Sequence, residues 1–257
     1  VYKRQGVLAG INLINTVRGF LAQVEGENNP YAQECKELAQ LVAAPQLAWT
    51  PEENGKTKLS YARTSKYDNL LRYEGYELIL KILRYLYQID AYISIAEVAR
   101  ERGFVFAEAL PLGGNILEIE GMFHPLIENA IPNSIQADAE HNVVFLTGAN
   151  MAGKSTFMKT FGIVVYLAHM GFPLPVKKMR FSVQNGMYTT INLPDNMMLG
   201  YSHFYAEVQR LKKVAEQVGR IGNLVIVFDE LFRGTNVKDA HEATLAVMEA
   251  FAEKKNC

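Results

Sequence analysis

The sequence predicts an α/β fold, a mixed sheet flanked by helices, preceded by an all-α helical arm. Three observations lead there. Apolar residues recur at helical spacing through the first hundred residues without strand alternation. After Gly103 the texture changes, and short β-prone runs alternate with helical patterns. One of those strand-to-helix junctions carries the glycine-rich pattern G-x-x-x-x-G-K-S. The division falls near Leu110, with a helical segment over 1–110 and the α/β domain over 111–257.

The helical segment opens with Val7–Ala44, where Val7, Leu8, Ile11, Ile14 and Leu21 share a helical period. Pro45–Thr57 is polar, contains Pro45, Pro51 and Gly55, and reads as a loop. From Ser65 to Arg102 runs one long periodic segment with no proline and only Gly75. Its length suggests an arm, with two packed helices as the alternative, and Gly103 is placed to end it. Tyr73, Tyr76, Tyr85, Tyr87 and Tyr92 on this segment read as packing residues, and Cys35 as a small apolar one. In the α/β domain the strand-like runs are Asn115–Glu120, Asn142–Leu146, Met187–Leu193 and Leu224–Phe228. The helical patterns between and after them are Lys154–Met170, Ser202–Val218 and Lys238–Glu253.

Composition narrows the function classes. The chain has 257 residues, 49% hydrophobic and 21% charged, which is globular and argues against disorder or a fibrous repeat. Its formal charge is −1, and the balance stays even on either side of Leu110, so neither part has the basic excess of an autonomous nucleic-acid grip. Two cysteines cannot build a disulfide framework, which suits a reducing, cytoplasmic setting. The longest unbroken apolar stretch, around Gly162–Ala168, falls far short of the roughly 20 residues that span a bilayer. Both ends read as cut: there is no initiator Met, and Cys257 follows directly on a helical pattern. Val1–Gln5 also matches the in-frame translation of a sequencing-library transposon end, so these five residues read as adapter.

The chemistry-bearing residues lie in two places. Thr147-Gly148-Ala149-Asn150-Met151-Ala152-Gly153-Lys154-Ser155-Thr156 follows an apolar strand and opens a helix. In that setting Gly148 and Gly153 let the backbone wrap closely, and its N–H groups and the helix N-terminus face phosphates. Lys154 supplies a point charge to the β- and γ-phosphates, and Ser155 a hydroxyl to Mg²⁺. The nucleotide-binding set is thus Gly148, Ala149, Asn150, Met151, Ala152, Gly153, Lys154, Ser155 and Thr156. The unbroken apolar run Leu224–Phe228 describes a buried strand that ends in Asp229 and Glu230, at the strand end where open α/β sheets place ligands. Asp229 is the expected Mg²⁺ partner and Glu230 the group that polarises an attacking water. Ser202, at the start of a helix with the apolar face Phe204, Val208, Leu211, Ala215 and Val218, occupies a natural N-cap that could meet an anion.

With these residues in view, the chain over roughly Tyr67–Cys257 resembles the nucleotide-binding domain of the MutS family of DNA mismatch-repair ATPases. The family's T-G-P-N-M-G-G-K-S-T is met by Thr147–Thr156, with Ala149 for Pro and Ala152 for Gly. D-E-x-G-R-G-T-S is met by Asp229–Asn236, with Phe232 for Gly and Asn236 for Ser. S-T-F-M-x-E resembles Ser202–Glu207, keeping Ser202, Phe204 and Glu207, and H-P-x-x-E matches His124–Glu128. Leu86–Arg100 resembles the helix joining the family's helical core to its ATPase domain.

The resemblance implies a P-loop domain of the ABC type, truncated at its C-terminus, that binds and hydrolyses ATP to ADP with Mg²⁺. It implies a homodimer in which Ser202 acts in trans on nucleotide held by the partner, with Arg233-Gly234-Thr235 along the seam. Lys154, Glu230 and Ser202 become the catalytic residues, Ser155 and Asp229 the metal pair, and DNA is met through segments outside this piece. Where many members carry an aromatic residue ahead of the I/V-P-N triplet, this chain has Ala130 before Ile131-Pro132-Asn133. An alternative reading is a MutS-related ATP-dependent switch acting on branched DNA or a protein partner without mismatch repair.

Overall fold

The computed structural model describes residues 2–24, 31–55, 58–191, 203–232 and 235–255. It is a mixed α/β protein that divides into two compact units, Val1–Ser94 and Ile95–Cys257.

Helices make up the first unit: α1 (Tyr2–Val24), α2 (Ala32–Val42), a 3₁₀ turn at Thr50–Glu53, α3 (Tyr61–Asn69) and a π turn at Leu70–Glu74. The start of α4 (Tyr76–Arg102) completes it. Val7, Ile11, Ile14, Val17 and Leu21 form one buried stripe on α1, at the three- and four-residue steps that bring side chains onto one helix face. Leu38, Val42, Leu47, Tyr67, Leu71 and Ile82 close the core around it. By length and apolarity alone α1 could cross a membrane. Its buried stripe lies in the core of the unit, and its polar side chains are paired there: Asn15 Nδ2 donates to the Thr50 carbonyl at 2.8 Å, and Arg18 donates to the carbonyls of Leu47, at 3.1 Å, and Val42.

One reading of this region holds in part and one needs correcting. The connector Pro45–Thr57 is irregular, as a loop should be, with one 3₁₀ turn, but over its described residues 45–55 it is partly buried. Leu47, Thr50 and Glu53 are buried, because Leu47 completes the core and Thr50 Oγ1 bonds back to the Leu47 carbonyl at 2.8 Å. The aromatic residues of the arm are mostly not packing residues: Tyr73, Tyr76, Tyr87 and Tyr92 are exposed. Tyr85 alone among them packs on the core and bonds to Glu37, while Tyr92 stacks on Tyr31 at 5.5 Å.

The periodic segment from Ser65 is not one uninterrupted α-helix. At Gly75 the amide reaches back five residues to the Leu70 carbonyl at 2.7 Å, the bond that defines the π turn. A Cβ there would sit 3.2 Å from both Leu47 Cδ2 and the Leu70 carbonyl, a tight contact that favours glycine. Gly103 does end α4. With φ +66° it takes the left-handed cap position, and the Phe104 amide returns to the Ala99 carbonyl at 2.9 Å in a Schellman arrangement.

The second unit holds two sheets among its described residues. The larger has the order β1 (Glu108–Leu110), β4 (Lys178–Ser182), β2 (Leu117–Met122), β3 (Asn133–Ala137). β1 runs parallel to β4, with Glu108 opposite Arg180, while β2 runs antiparallel to β4 and β3. Arg180 ties three strands together, donating to Glu108 and Glu118 at 3.1 Å each; Glu118's bond, then both carboxylate charges, raise its pKa. The smaller sheet pairs β5 (Gly186–Thr190) parallel to β6 (Leu224–Phe228), from Gly186 opposite Leu224 to Thr190 opposite Phe228. Helix α5 (Lys154–His169) buries Phe161, Val164, Val165 and Ala168 in one core with Ile119, Met179 and Phe181. Helix α6 (His203–Ile221) packs Val214 and Val218 on Leu224, and α7 (Val237–Ala252) comes after β6 in the chain.

The run Asn142–Leu146, expected as a strand, has no regular secondary structure and joins neither sheet. An apolar cavity of about 490 Å³ is lined by Val143–Leu146, by β6 and by α7, and among the described residues no strand pairs with this stretch. Accordingly Val144 and Phe145 stay exposed, and α7 buries none of its residues.

Candidate functional site

The glycine-rich loop leads into α5 as its sequence requires. Gly153 takes φ +93° at the N-cap of α5, a conformation that favours glycine, and the Phe157 amide returns to the Gly153 carbonyl at 2.8 Å. Met151, at the tip, also has positive φ (+62°), which is uncommon for a residue with a side chain, and is wholly exposed. The Ala152 amide donates to the Ala149 carbonyl at 3.2 Å and tightens the turn. The first amides of α5, those of Lys154, Ser155 and Thr156, thus start a helix at its positive end.

Lys154 folds back over this loop, its Nζ donating to the carbonyls of Gly148 and Ala149 at 2.9 Å each. Ser155 Oγ points away, donating to Asp229 Oδ2 at 3.2 Å across 74 residues of sequence. That contact joins the loop to the strand-end acids, because β6 stops at Phe228 and releases Asp229 and Glu230 at its C-terminal end. Glu230 has φ +45° and Phe232 φ +63°, so two non-glycine residues of one short turn take left-handed backbone. The side chains of Lys154, Asp229 and Glu230 all border the apolar cavity.

The described structure therefore brings together Gly148, Lys154, Ser155 and Asp229, with Glu230 next along the chain. Ala149, Asn150, Met151, Ala152, Gly153 and Thr156 form the loop and the helix start between them. Ser202 lies outside the described residues, as do Arg233 and Gly234. His124 is a turn residue: its Nδ1 accepts from the Leu126 amide at 3.2 Å and its carbonyl from the Ile127 amide at 3.2 Å. Asn236 caps α7, its side chain accepting from the Asp239 amide at 2.9 Å.

Sequence reading passed over three features near the strand ends. Phe232 is buried at 3% exposure with its ring 5.6 Å from that of Phe204 on α6. Thr190 Oγ1, opposite Phe228, and Glu207 Oε2 are buried polar atoms without a hydrogen-bond partner among the described residues. The departure of Phe232 from glycine was a usable signal for the first; nothing in the local sequence marks the burial of the other two.

In this mixed α/β unit the glycine loop, the helix start and the strand-end carboxylate of Asp229 meet at one place. Residues 144–257 match the family described as MutS domain V. The chain is 31% identical over 182 residues to the DNA mismatch repair protein MutS of Thermus aquaticus, covering 70% of this chain and 22% of that protein. It is 30% identical to the protein of the same name from Desulforamulus reducens, over 70% of this chain and 21% of the other. With that of Aquifex pyrophilus it shares 29% identity over 93% of this chain and 29% of the other. The match to the MutS family model thus covers residues 144–257, and the chain spans between about a fifth and three tenths of the length of these relatives.

Proposed function

We propose that this chain is the ATP-binding and ATP-hydrolysing part of a DNA mismatch-repair protein, a P-loop domain of the ABC type preceded by a helical arm. The observation that carries the reading is the Ser155–Asp229 contact at 3.2 Å, which sets a hydroxyl and a carboxylate side by side at the start of α5. Two hard oxygen donors so placed fit Mg²⁺, whose preference is for oxygen ligands. Ser155 and Asp229 would hold Mg²⁺, which would supply neutralisation of phosphate charge there.

The chain's own groups then have separate tasks. The loop amides of Gly148–Thr156 and the α5 N-terminus receive the phosphate oxygens. Lys154 Nζ exchanges its two loop carbonyls for phosphate oxygens, which leaves it paired before and after binding. The Glu230 carboxylate orients the attacking water and takes its proton. The homodimer carries Ser202 of one subunit to the γ-phosphate held by the other, and nucleotide state passes through the arm to DNA-contacting segments of the whole protein.

Two substitutions test this. Lys154→Ala abolishes Mg-ATP binding, whereas Glu230→Gln binds Mg-ATP normally and turns over at least ~10²-fold more slowly, the range for loss of a general base. Calorimetric binding and phosphate release, measured on both variants, check it; normal turnover in either sinks the reading. The departure at Ala130 favours a second reading, an ATP-dependent switch for branched DNA or a protein partner. A marked preference of the whole protein for a single mismatch over homoduplex DNA would exclude it.

A further inference from the structure

Phe232 stands where the resembled motif has glycine, and its backbone shows why glycine suits the position. At φ +63° it lies in the left-handed region, which a residue with a Cβ adopts only at a free-energy cost. Glu230, two residues earlier, is left-handed as well, at φ +45°. Such residues persist only where the surroundings over-determine them. Within Asp229–Phe232, the sole fully buried side chain is Phe232, and the ring contact found for it is with Phe204, at 5.6 Å and 45°. Phe204 is the second residue of α6. The Thr235 amide closes the turn on the Phe232 carbonyl at 3.4 Å.

We infer that Phe232 is a positioning residue: its ring, lodged against Phe204, holds the turn after β6 in the conformation that aims the Glu230 carboxylate. The inference rests on the ATP-hydrolysis reading above. Where glycine would make this turn by conformational freedom, this chain makes it by burial. The arrangement also ties the aim of the base to the first turn of α6, next in sequence to Ser202. Phe232 touches no reacting atom in this scheme, so its loss acts on turnover and leaves phosphate binding by the loop alone.

The test compares Phe232→Ala, Phe232→Gly, Phe232→Leu and Phe204→Ala with the unaltered chain, reading Mg-ATP affinity by calorimetry and kcat by phosphate release. Phe232→Ala and Phe204→Ala are expected to bind Mg-ATP within about twofold of the parent and to lose at least tenfold in kcat. The double alanine variant should be no slower than the slower single one, because both remove the same contact. Phe232→Leu, which refills the buried site, restores most of the rate. Phe204 is 37% exposed, so its substitution keeps the test open should Phe232→Ala unfold. Unchanged kcat in Phe204→Ala or Phe232→Ala overturns the inference, as do equal losses of affinity and kcat; Phe232→Gly, free to take this φ, is expected to turn over faster than Phe232→Ala. A parent chain that binds Mg-ATP without turnover, or binds none, overturns the hydrolysis reading and this inference with it. A turning-over parent with unaffected variants overturns this inference alone.

Discussion

Glu53 sits at 4% exposure, and its Oε1 accepts from the Tyr67 hydroxyl at 2.7 Å and from Arg63 at 3.4 Å, with Trp49 stacked on the Tyr67 ring at 4.0 Å. The hydrogen bond to Glu53 first, and burial second, push the Tyr67 phenol above its ordinary range. A raised folded pKa means that the contribution to stability is whole below the ordinary phenol value and is lost as pH rises through the raised one. Absorbance titration should therefore show late-ionising tyrosines, Tyr67 and the Glu37-bonded Tyr85 among them, together with alkaline loss of the helical signal of the first unit. Tyr67→Phe should remove part of that late absorbance and destabilise by about 1–3 kcal/mol, since it withdraws a donor from a buried carboxylate; thermal denaturation near neutral pH checks it. None of this is legible in a proline-bearing connector that reads as a loop. Lys154, Ser155 and Asp229 are legible, because a fixed spacing in a strand–loop–helix setting constrains where their atoms go. Phe232 is legible only as a departure, since its burial depends on a ring 28 positions earlier in the chain.

At the level of elements, the long helices and the turns that end them could be read from periodicity and glycine placement, and Gly103 is the clearest case. The strands were harder. β1, with three residues, is too short for alternation to register, whereas β4 alternates Lys178 and Arg180 with buried Met179 and Phe181, a strand signal that the reading of the sequence missed. Asn142–Leu146 fails for the opposite reason: its apolar pattern is that of a buried strand, but a strand is made by a neighbour's hydrogen bonds and no local pattern supplies them. Two substitutions probe this scale. Asn236→Ala removes the N-cap of α7 and should cost about 1 kcal/mol, seen as faster amide exchange in the first turn of a helix that burial does little to hold. Gly75→Ala would ordinarily favour a helix. Here the added Cβ meets a backbone carbonyl at 3.2 Å, so a net loss of about 1–2 kcal/mol in urea denaturation is expected.

At the scale of the whole molecule, the boundary between the compact units falls within α4, at Ser94/Ile95, although the change of texture in the sequence comes only after Gly103. Texture marks where strands begin, whereas a unit is marked by which contacts close on themselves, and the last two turns of α4 make theirs within the second unit. The groups assigned to nucleotide, Gly148–Thr156 with Asp229 and Glu230, all belong to the unit Ile95–Cys257. A ligand that binds only the folded form adds its linkage free energy to the opening of the structure that holds it, about 2.7 kcal/mol at a hundred times Kd. Saturating Mg-ATP should therefore slow amide exchange across residues 95–257, most strongly at 148–156, where the loop amides themselves gain acceptors. The Lys154→Ala chain under the same conditions should show neither effect. Protection that appears equally in both chains would mean that the nucleotide is held somewhere other than the loop before α5.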